Sequence, residues 1–272
     1  MDLNKNIKDF DLVFLDLETT GLDPVIGDAI CEIGAFKVKN NDISDKFHSL
    51  VNPRKSMPEA AYRVHKISDQ DLAEAPYFED VADKFISFVG GSVVCAYNVG
   101  FDMGFIDNHL RKINYSPLNV PAIDILAMAR EALNLSKYNL AIVAQFFNID
   151  CSNGLHRALD DALAAYKIFF KLLDIFKEKG IEELADFLSL YGFNNEISRN
   201  EENQKILFFK EAIDNKLSFK IRYLSFANII EEETILPLRI VQENSYCCLL
   251  YQGSQEVSSQ IKLNRILKIT TV

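Results

Sequence analysis

The segment Asp11–Glu18 (DLVFLDLE) constrains this chain more than any other. Its apolar residues Leu12, Val13, Phe14, Leu15 and Leu17 form a short, β-rich run closed by the turn-like Thr19–Gly21, the pattern of a buried strand. Side chains two apart on a strand share a face, so Asp16 and Glu18 point the same way as Phe14, while Val13, Leu15 and Leu17 point the other way. Two acids on one face of a buried strand cost several kcal/mol unless cations pair with them. The competing reading is a strand end that carries acids beside a turn. Any fold for this chain has to resolve that choice.

Further along, Ala29–Val38 and Ile43–Val51 read as strands joined by a hairpin at Lys39–Asp42, with Asn40 and Asn41 at its tip. Helical periodicity covers Tyr77–Val89 and ends at Gly90-Gly91. Ser92–Ala96 is a short strand, Phe101–Lys112 a helix, and Val120–Asp124 a fifth strand. Helices follow near Ile125–Leu133 and Tyr138–Phe147, then a long one over Arg157–Lys177. The alternation predicts an α/β domain over residues 1–178, a mixed five-stranded sheet flanked by helices. Residues 179–203 read as a helical connection (Ile181–Leu190) and a polar linker, Gly192–Asn203. Residues 204–272, a helix at Gln204–Asn215 and four or five short strands, make a small strand-rich α+β domain.

At 272 residues and 49% hydrophobic, the chain can bury a real core. No stretch approaches the roughly 18 apolar residues of a membrane span, and the first residues lack the pattern of a secretory signal. The cysteines Cys31, Cys95, Cys151, Cys247 and Cys248 are odd in number and never spaced C-x-x-C. They point to reduced thiols in a cytoplasmic protein, with neither a zinc site nor a disulfide frame. The net charge of −10 excludes a broadly basic coat. From Asn203 onward nine basic residues face seven acidic ones, a net of +2, which leaves −12 for residues 1–202. If that region handles a polyanion, bound divalent cations are the obvious means of offsetting its carboxylates.

Two more acids join the first pair. Asp102 ends Tyr97-Asn98-Val99-Gly100-Phe101-Asp102, where a strand passes into a helix; alone, it reads as a cap or first-turn acid. In His156-Arg157-Ala158-Leu159-Asp160-Asp161, helical phase separates the two aspartates. Asp160 falls on the stripe of Lys167, Lys171, Asp174 and Glu178, whereas Asp161 shares one with Ala165, Ile168 and Leu172. A carboxylate on an apolar stripe needs a reason, so Asp161 is the functional candidate. His156 alone would be a surface residue or a cap; its place five residues before Asp161 makes it a candidate too. His48 and His109 read as surface or packing residues.

Taken together, DLETTG (Asp16–Gly21), YNVGFD (Tyr97–Asp102) and HRALDD (His156–Asp161) resemble, in order and spacing, the three motifs of the DEDDh 3′–5′ exonucleases. That group includes the proofreading epsilon subunit of bacterial DNA polymerase III and ribonuclease T. The resemblance covers roughly residues 10–177 and extends to AYRVHKIS (Ala61–Ser68), similar to a family segment that contains a histidine. It implies a ribonuclease H-like fold and a site for two divalent cations, Mg²⁺ or Mn²⁺, about 3.5–4 Å apart around the scissile phosphate. Asp16 would bridge both ions, Glu18 and Asp161 would hold the one that activates water, and Asp102 would help position the other. His156 would be the general base, a task suited to the side chain whose charge changes near neutral pH. Thr19, Thr20, Gly21 and Leu22 would line the pocket for the 3′ nucleotide, with backbone donors and an apolar wedge. His65, Asn98 and Phe101 are further candidate substrate contacts, Phe101 either stacking near a base or belonging to the core. Tyr97 stands where the family often has histidine, and Lys66 where it often has glycine.

Residues from about Gln204 onward resemble a WYL-type domain through KEAIDNKLSFKIRYLS, ILPLRIV, SYCCLLY and IKLNRILKI, with Tyr246 nearest the position of the absent signature tryptophan. The likeness implies a nucleic-acid or nucleotide ligand, with Lys220, Arg222, Arg239 and Arg265 as contacts; solvated strand-edge charges are the alternative. The expected activity is removal of 3′-terminal nucleotides from single-stranded nucleic acid, with DNA placed ahead of RNA. A binding regulator using the nuclease fold as a platform is the second reading, disfavoured because a binder has no need of all five residues. No trusted clamp-binding motif argues for a polymerase partner.

Overall fold

A computed structural model describes residues 2–151, 156–193, 196–243, 246–253 and 258–271. The chain divides into two compact units, Asn6–Asp174 and Ile175–Val272 together with Met1–Lys5.

In the first unit β1 (Leu12–Thr19), β2 (Ile30–Lys39) and β3 (Asp42–Leu50) form an antiparallel meander. Asn40 and Asn41 at the tip of the β2–β3 hairpin have φ of 52° and 68°, the left-handed backbone that a two-residue turn needs and that asparagine tolerates. A crossover through α1 (Glu59–His65), α2 (Asp69–Leu72) and α3 (Phe78–Val89) returns the chain as β4 (Val93–Ala96), parallel to β1. Then α4 (Val99–Lys112) leads to β5 (Ala122–Asp124), parallel to β4. Among the described residues the sheet has five strands in the order β3-β2-β1-β4-β5. The helices α5 (Ile125–Ala132) and α6 (Leu140–Phe146) precede the long α7 (Ala158–Glu178).

β1 is the middle strand and buried on both faces apart from Asp16, which is half-buried. Phe14 meets Phe169 and Tyr166 of α7 edge-on, with ring centres 5.2 and 5.3 Å apart. The face of β1 that carries the carboxylates is therefore the one α7 covers.

In the second unit the final residues of α7 pack with α8 (Leu184–Tyr191), where Phe176 lies edge-on to Phe187. After α9 (Glu196–Asp214) come β6 (Phe219–Leu224), β7 (Ile230–Glu243), β8 (Tyr246–Gln252), β9 (Ser258–Lys262) and β10 (Ile266–Thr271). They form an antiparallel sheet in the order β10-β6-β7-β8-β9, over a core that includes Phe209, Ile221, Ile235, Leu249 and Ile266. Two features depart from the sequence reading. α8 buries Leu184, Phe187, Leu188 and Tyr191, and its buried Asp186 accepts from Arg222 Nη1 on β6 at 3.1 Å. The segment thus packs into this unit. Meanwhile α9 begins at Glu196 instead of Gln204: the opening turns spell EISRNEEN and lack the apolar face that begins with Ile206 and Phe209, so periodicity could not mark them.

Candidate metal centre

Asp16 and Glu18 lie near the C-terminal end of β1, where β2 flanks them on one side: Asp16 is opposite Gly34 and Glu18 opposite Glu32. On the other side β4 pairs with β1 only as far as Leu15. The amide of Leu17 lies beyond that ladder and donates instead to the carboxylate of Asp102 in the first turn of α4, a side chain only 2% exposed. Asp102 is thereby tied to the strand that carries the first two acids.

α7 brings the fourth. Its start rests directly on β2 at Gly34, where a β-carbon would lie 2.7 Å from the Ala158 carbonyl oxygen and closer still to Ala158 C and Leu159 N. Only glycine admits that approach. It places Asp161 so that one carboxylate oxygen each from Asp16, Glu18 and Asp161 lie within 4.8 Å of one another. Helical phase had separated Asp161 from Asp160, and Asp161 is the one in this group. His156 just precedes the helix with φ of 75°, and its backbone N–H donates to Asp161 Oδ1 at 3.0 Å. Its side chain is exposed.

The electrostatics of this arrangement are unfavourable as they stand. Burial, then repulsion from Asp102, Asp161, Glu18 and Glu32, holds Asp16 well above the usual carboxylate range. Burial, then Asp161 and Glu32, pushes Glu18 up to about 8. Burial also raises Asp102 and Asp161, although backbone hydrogen bonds oppose it in both. Among the described residues no lysine or arginine forms an ion pair with Asp16, Glu18 or Asp161. The donor set is all oxygen, anionic and convergent, which suits hard divalent cations such as Mg²⁺ or Mn²⁺ and not a soft metal.

The remaining predicted residues fall into two groups. Thr20, almost fully buried, closes the loop after β1: its hydroxyl accepts from Ala29 N–H and its own N–H donates to Ala29 O. Thr19 Oγ1 donates to the carbonyl of Gly21, and Gly21 has no room for a β-carbon because the Asp28 carboxylate occupies that space. Leu22 is 84% exposed beside this loop, with Val25 and Ile26 similarly open. Asn98 is exposed in the left-handed region, its N–H donating to Asp124 Oδ1. Phe101 is half-buried, 4.8 Å from Phe105.

His65, a candidate for touching the terminal nucleotide, lies inside the fold. It is 2% exposed, its Nδ1 accepts from Ile67 N–H, and its ring bonds to the backbone of Thr19, so it braces the end of β1 from inside. His109 is packed as expected. Tyr97 donates to the carbonyl of Tyr138 at 2.7 Å. In the second unit two of the four basic candidates, Arg222 and Arg265, are committed to the fold, while Lys220 and Arg239 are exposed. Lys220 pairs with Glu232, Arg222 with Asp186 and the Gly180 carbonyl, and Arg265 with the carbonyls of Leu224 and Ser225.

Sequence reasoning missed Glu32, Gly34 and Arg157. Glu32 accepts from both Arg157 and His48. The available signals were a lone acid and a glycine inside an otherwise apolar strand, ICEIGAF.

Comparison with known proteins gives a family and a fold. The exonuclease family of the RNase T type matches residues 13–169. The DNA polymerase III subunit epsilon of Rickettsia felis is 38% identical over 166 residues, 59% of this chain and 72% of that protein. Among solved structures, Escherichia coli exonuclease I in complex with a dA16 oligonucleotide aligns with 97% of this chain and 65% of its own, with a TM-score of 0.57 and 14% identity. The nuclease domain of 3′hExo, a DEDDh family member bound to rAMP, covers 60% of this chain and 92% of its own, with a TM-score of 0.54 and 17% identity. At such identities the likeness is one of fold, the ribonuclease H-like mixed sheet flanked by helices.

Proposed function

Because the chain belongs to the exonuclease family, we propose that it is a DEDDh-type 3′–5′ exonuclease that removes nucleoside monophosphates from the 3′ end of single-stranded nucleic acid, DNA ahead of RNA. The observation that carries this reading is the convergence of Asp16, Glu18 and Asp161, with no lysine or arginine among the described residues in an ion pair with them. Asp16, Glu18, Asp161 and Asp102 would hold two divalent cations, Mg²⁺ or Mn²⁺, whose charge offsets that developing on the attacking and leaving oxygens. His156, exposed at the rim, is the general base for the attacking water, and its backbone bond to Asp161 fixes it relative to the carboxylates. Leu22 and Phe101 present apolar surface to the terminal base, and Thr19, Thr20, Gly21 and Asn98 shape the loops around it.

The second unit is proposed on the same footing as a WYL-like module for a nucleic-acid or nucleotide ligand, with Lys220 and Arg239 the candidate contacts that face solvent. For the described residues, no helix is long and apolar enough to cross a membrane.

The test uses 5′-labelled single strands of matched DNA and RNA with Mg²⁺ or Mn²⁺. A ladder shortening from the 3′ end, lost with chelator and in Asp16→Ala, supports the reading; no metal-dependent shortening overturns it. Rates on the two strands decide DNA against RNA, which depends on how the pocket treats a 2′-hydroxyl. Co-purification with a replicative polymerase distinguishes proofreading from free-standing repair or processing.

A further inference from the structure

Glu32 is 1% exposed on β2, opposite Glu18, yet it belongs to a different kind of environment. One of its oxygens takes His48 Nε2 at 2.7 Å and Arg157 Nη2 at 2.6 Å. The other takes Arg157 Nε at 3.0 Å and the backbone N–H of Ala158 at 3.1 Å. Both oxygens are engaged by donors, which sets Glu32 apart from the convergent carboxylates of Asp16, Glu18 and Asp161. The Arg157 contact is a two-pronged fork, the geometry that fixes orientation as well as distance. Ala158 opens α7, so its N–H is one of the amides that a helix cannot satisfy internally. Glu32 thus caps α7 from β2.

The consequence falls on the neighbouring residues. His156 is held in the left-handed region, which a non-glycine residue occupies only where its surroundings impose it. On one side its N–H is bonded to Asp161; on the other, residues 157 and 158 are bonded to Glu32. Gly34, two residues further on the same strand, gives the helix start its seat. We propose that Glu32, acting through the Arg157 fork and the Ala158 amide, is a positioning residue that sets where His156 and Asp161 stand relative to Asp16 and Glu18. This rests on the exonuclease reading for its catalytic consequence, though not for its geometry.

The experiment compares wild type, Glu32→Gln, Arg157→Ala and the double variant, with Glu32→Asp and Arg157→Lys as milder changes. Kinetics are measured on a single-stranded oligonucleotide with Mn²⁺, and amide hydrogen exchange is followed at residues 156–161. The expected result is a fall in kcat of about 10²-fold, the scale of a 1 Å misplacement, with KM nearly unchanged. The double variant should be no worse than the poorer single one, because both break one linkage. Added guanidinium should restore part of the rate to Arg157→Ala and none to Glu32→Gln, and the 156–161 amides should exchange at least about tenfold faster in either variant. Wild-type kcat and exchange in folded Glu32→Gln would overturn the proposal. So would a rise in KM confined to Arg157→Ala, which would make Arg157 a direct substrate contact. A wild type that releases no nucleotide would overturn the exonuclease reading, and the exchange data would then judge the clamp alone.

Discussion

Replacing Gly34 by alanine probes the contact on which the site depends. Gly34 stands opposite Asp16, and a methyl there would lie 2.7 Å from the Ala158 carbonyl oxygen and nearer still to two other backbone atoms. Carbon contacts settle at about 3.5 Å, so the start of α7 must retreat by roughly 1 Å. Backbone cannot rotate aside as a side chain would. Overpacking of this kind costs about 1–3 kcal/mol, several degrees of melting temperature for a unit of this size. The same retreat draws Asp161 away from Asp16 and Glu18, and a displacement near 1 Å is worth about 10²-fold in rate. Single-turnover cleavage of a 5′-labelled oligonucleotide, with calorimetry on the same samples, measures both effects. Gly104→Ala is the control: it lies within α4 with nothing within 4 Å of a new β-carbon, and should be neutral or slightly stabilising. If Gly34→Ala keeps its rate within about twofold and melts with the wild type, α7 does not seat on β2 as described, and the reasoning from that contact fails.

Three further outcomes follow from the structure. Glu18 is raised from 4.5 to about 8, so between those values the folded protein keeps a proton that the unfolded chain has lost. Metal-free stability should therefore fall as pH rises through that window, by up to about 1.4 kcal/mol per pH unit from this group; Mn²⁺ or Glu18→Gln should flatten the fall, and urea titrations at pH 5 and pH 8 that showed no such difference would contradict it. In the second unit, Arg222→Ala strands the carboxylate of Asp186, which is 3% exposed on its side chain, and should cost about 3 kcal/mol in denaturant titrations. Asp186→Asn in that background should recover part of the loss. Tyr97→Phe removes the bond to the Tyr138 carbonyl and should cost about 1 kcal/mol while leaving kcat within a few-fold, as a melt paired with an activity assay would reveal.

Several parts of the architecture were legible because local physics carries them. The apolar runs of β1 and β2 and the periodicity of α7 mark those elements to within a residue or two, since burial of one face or stripe must appear in the spacing. The Asn40-Asn41 tip was visible because few residues accept its backbone. Helical phase alone selected Asp161 over Asp160. Short α1 and α2 left no such trace, and the polar first turns of α9 read as linker. The sequence by itself placed Asp16, Glu18 and Asp161 on core-facing positions, from strand alternation and helical phase, but did not single out the buried Glu32. Tertiary structure decided what they meet. That Glu32 caps a helix starting 126 residues later, that Gly34 makes room for it, and that His65 turns inward are facts of strand register and helix placement. Such contacts leave no periodic mark, because a residue's partner across a sheet or beneath a helix is set by how distant segments dock and not by the residues beside it.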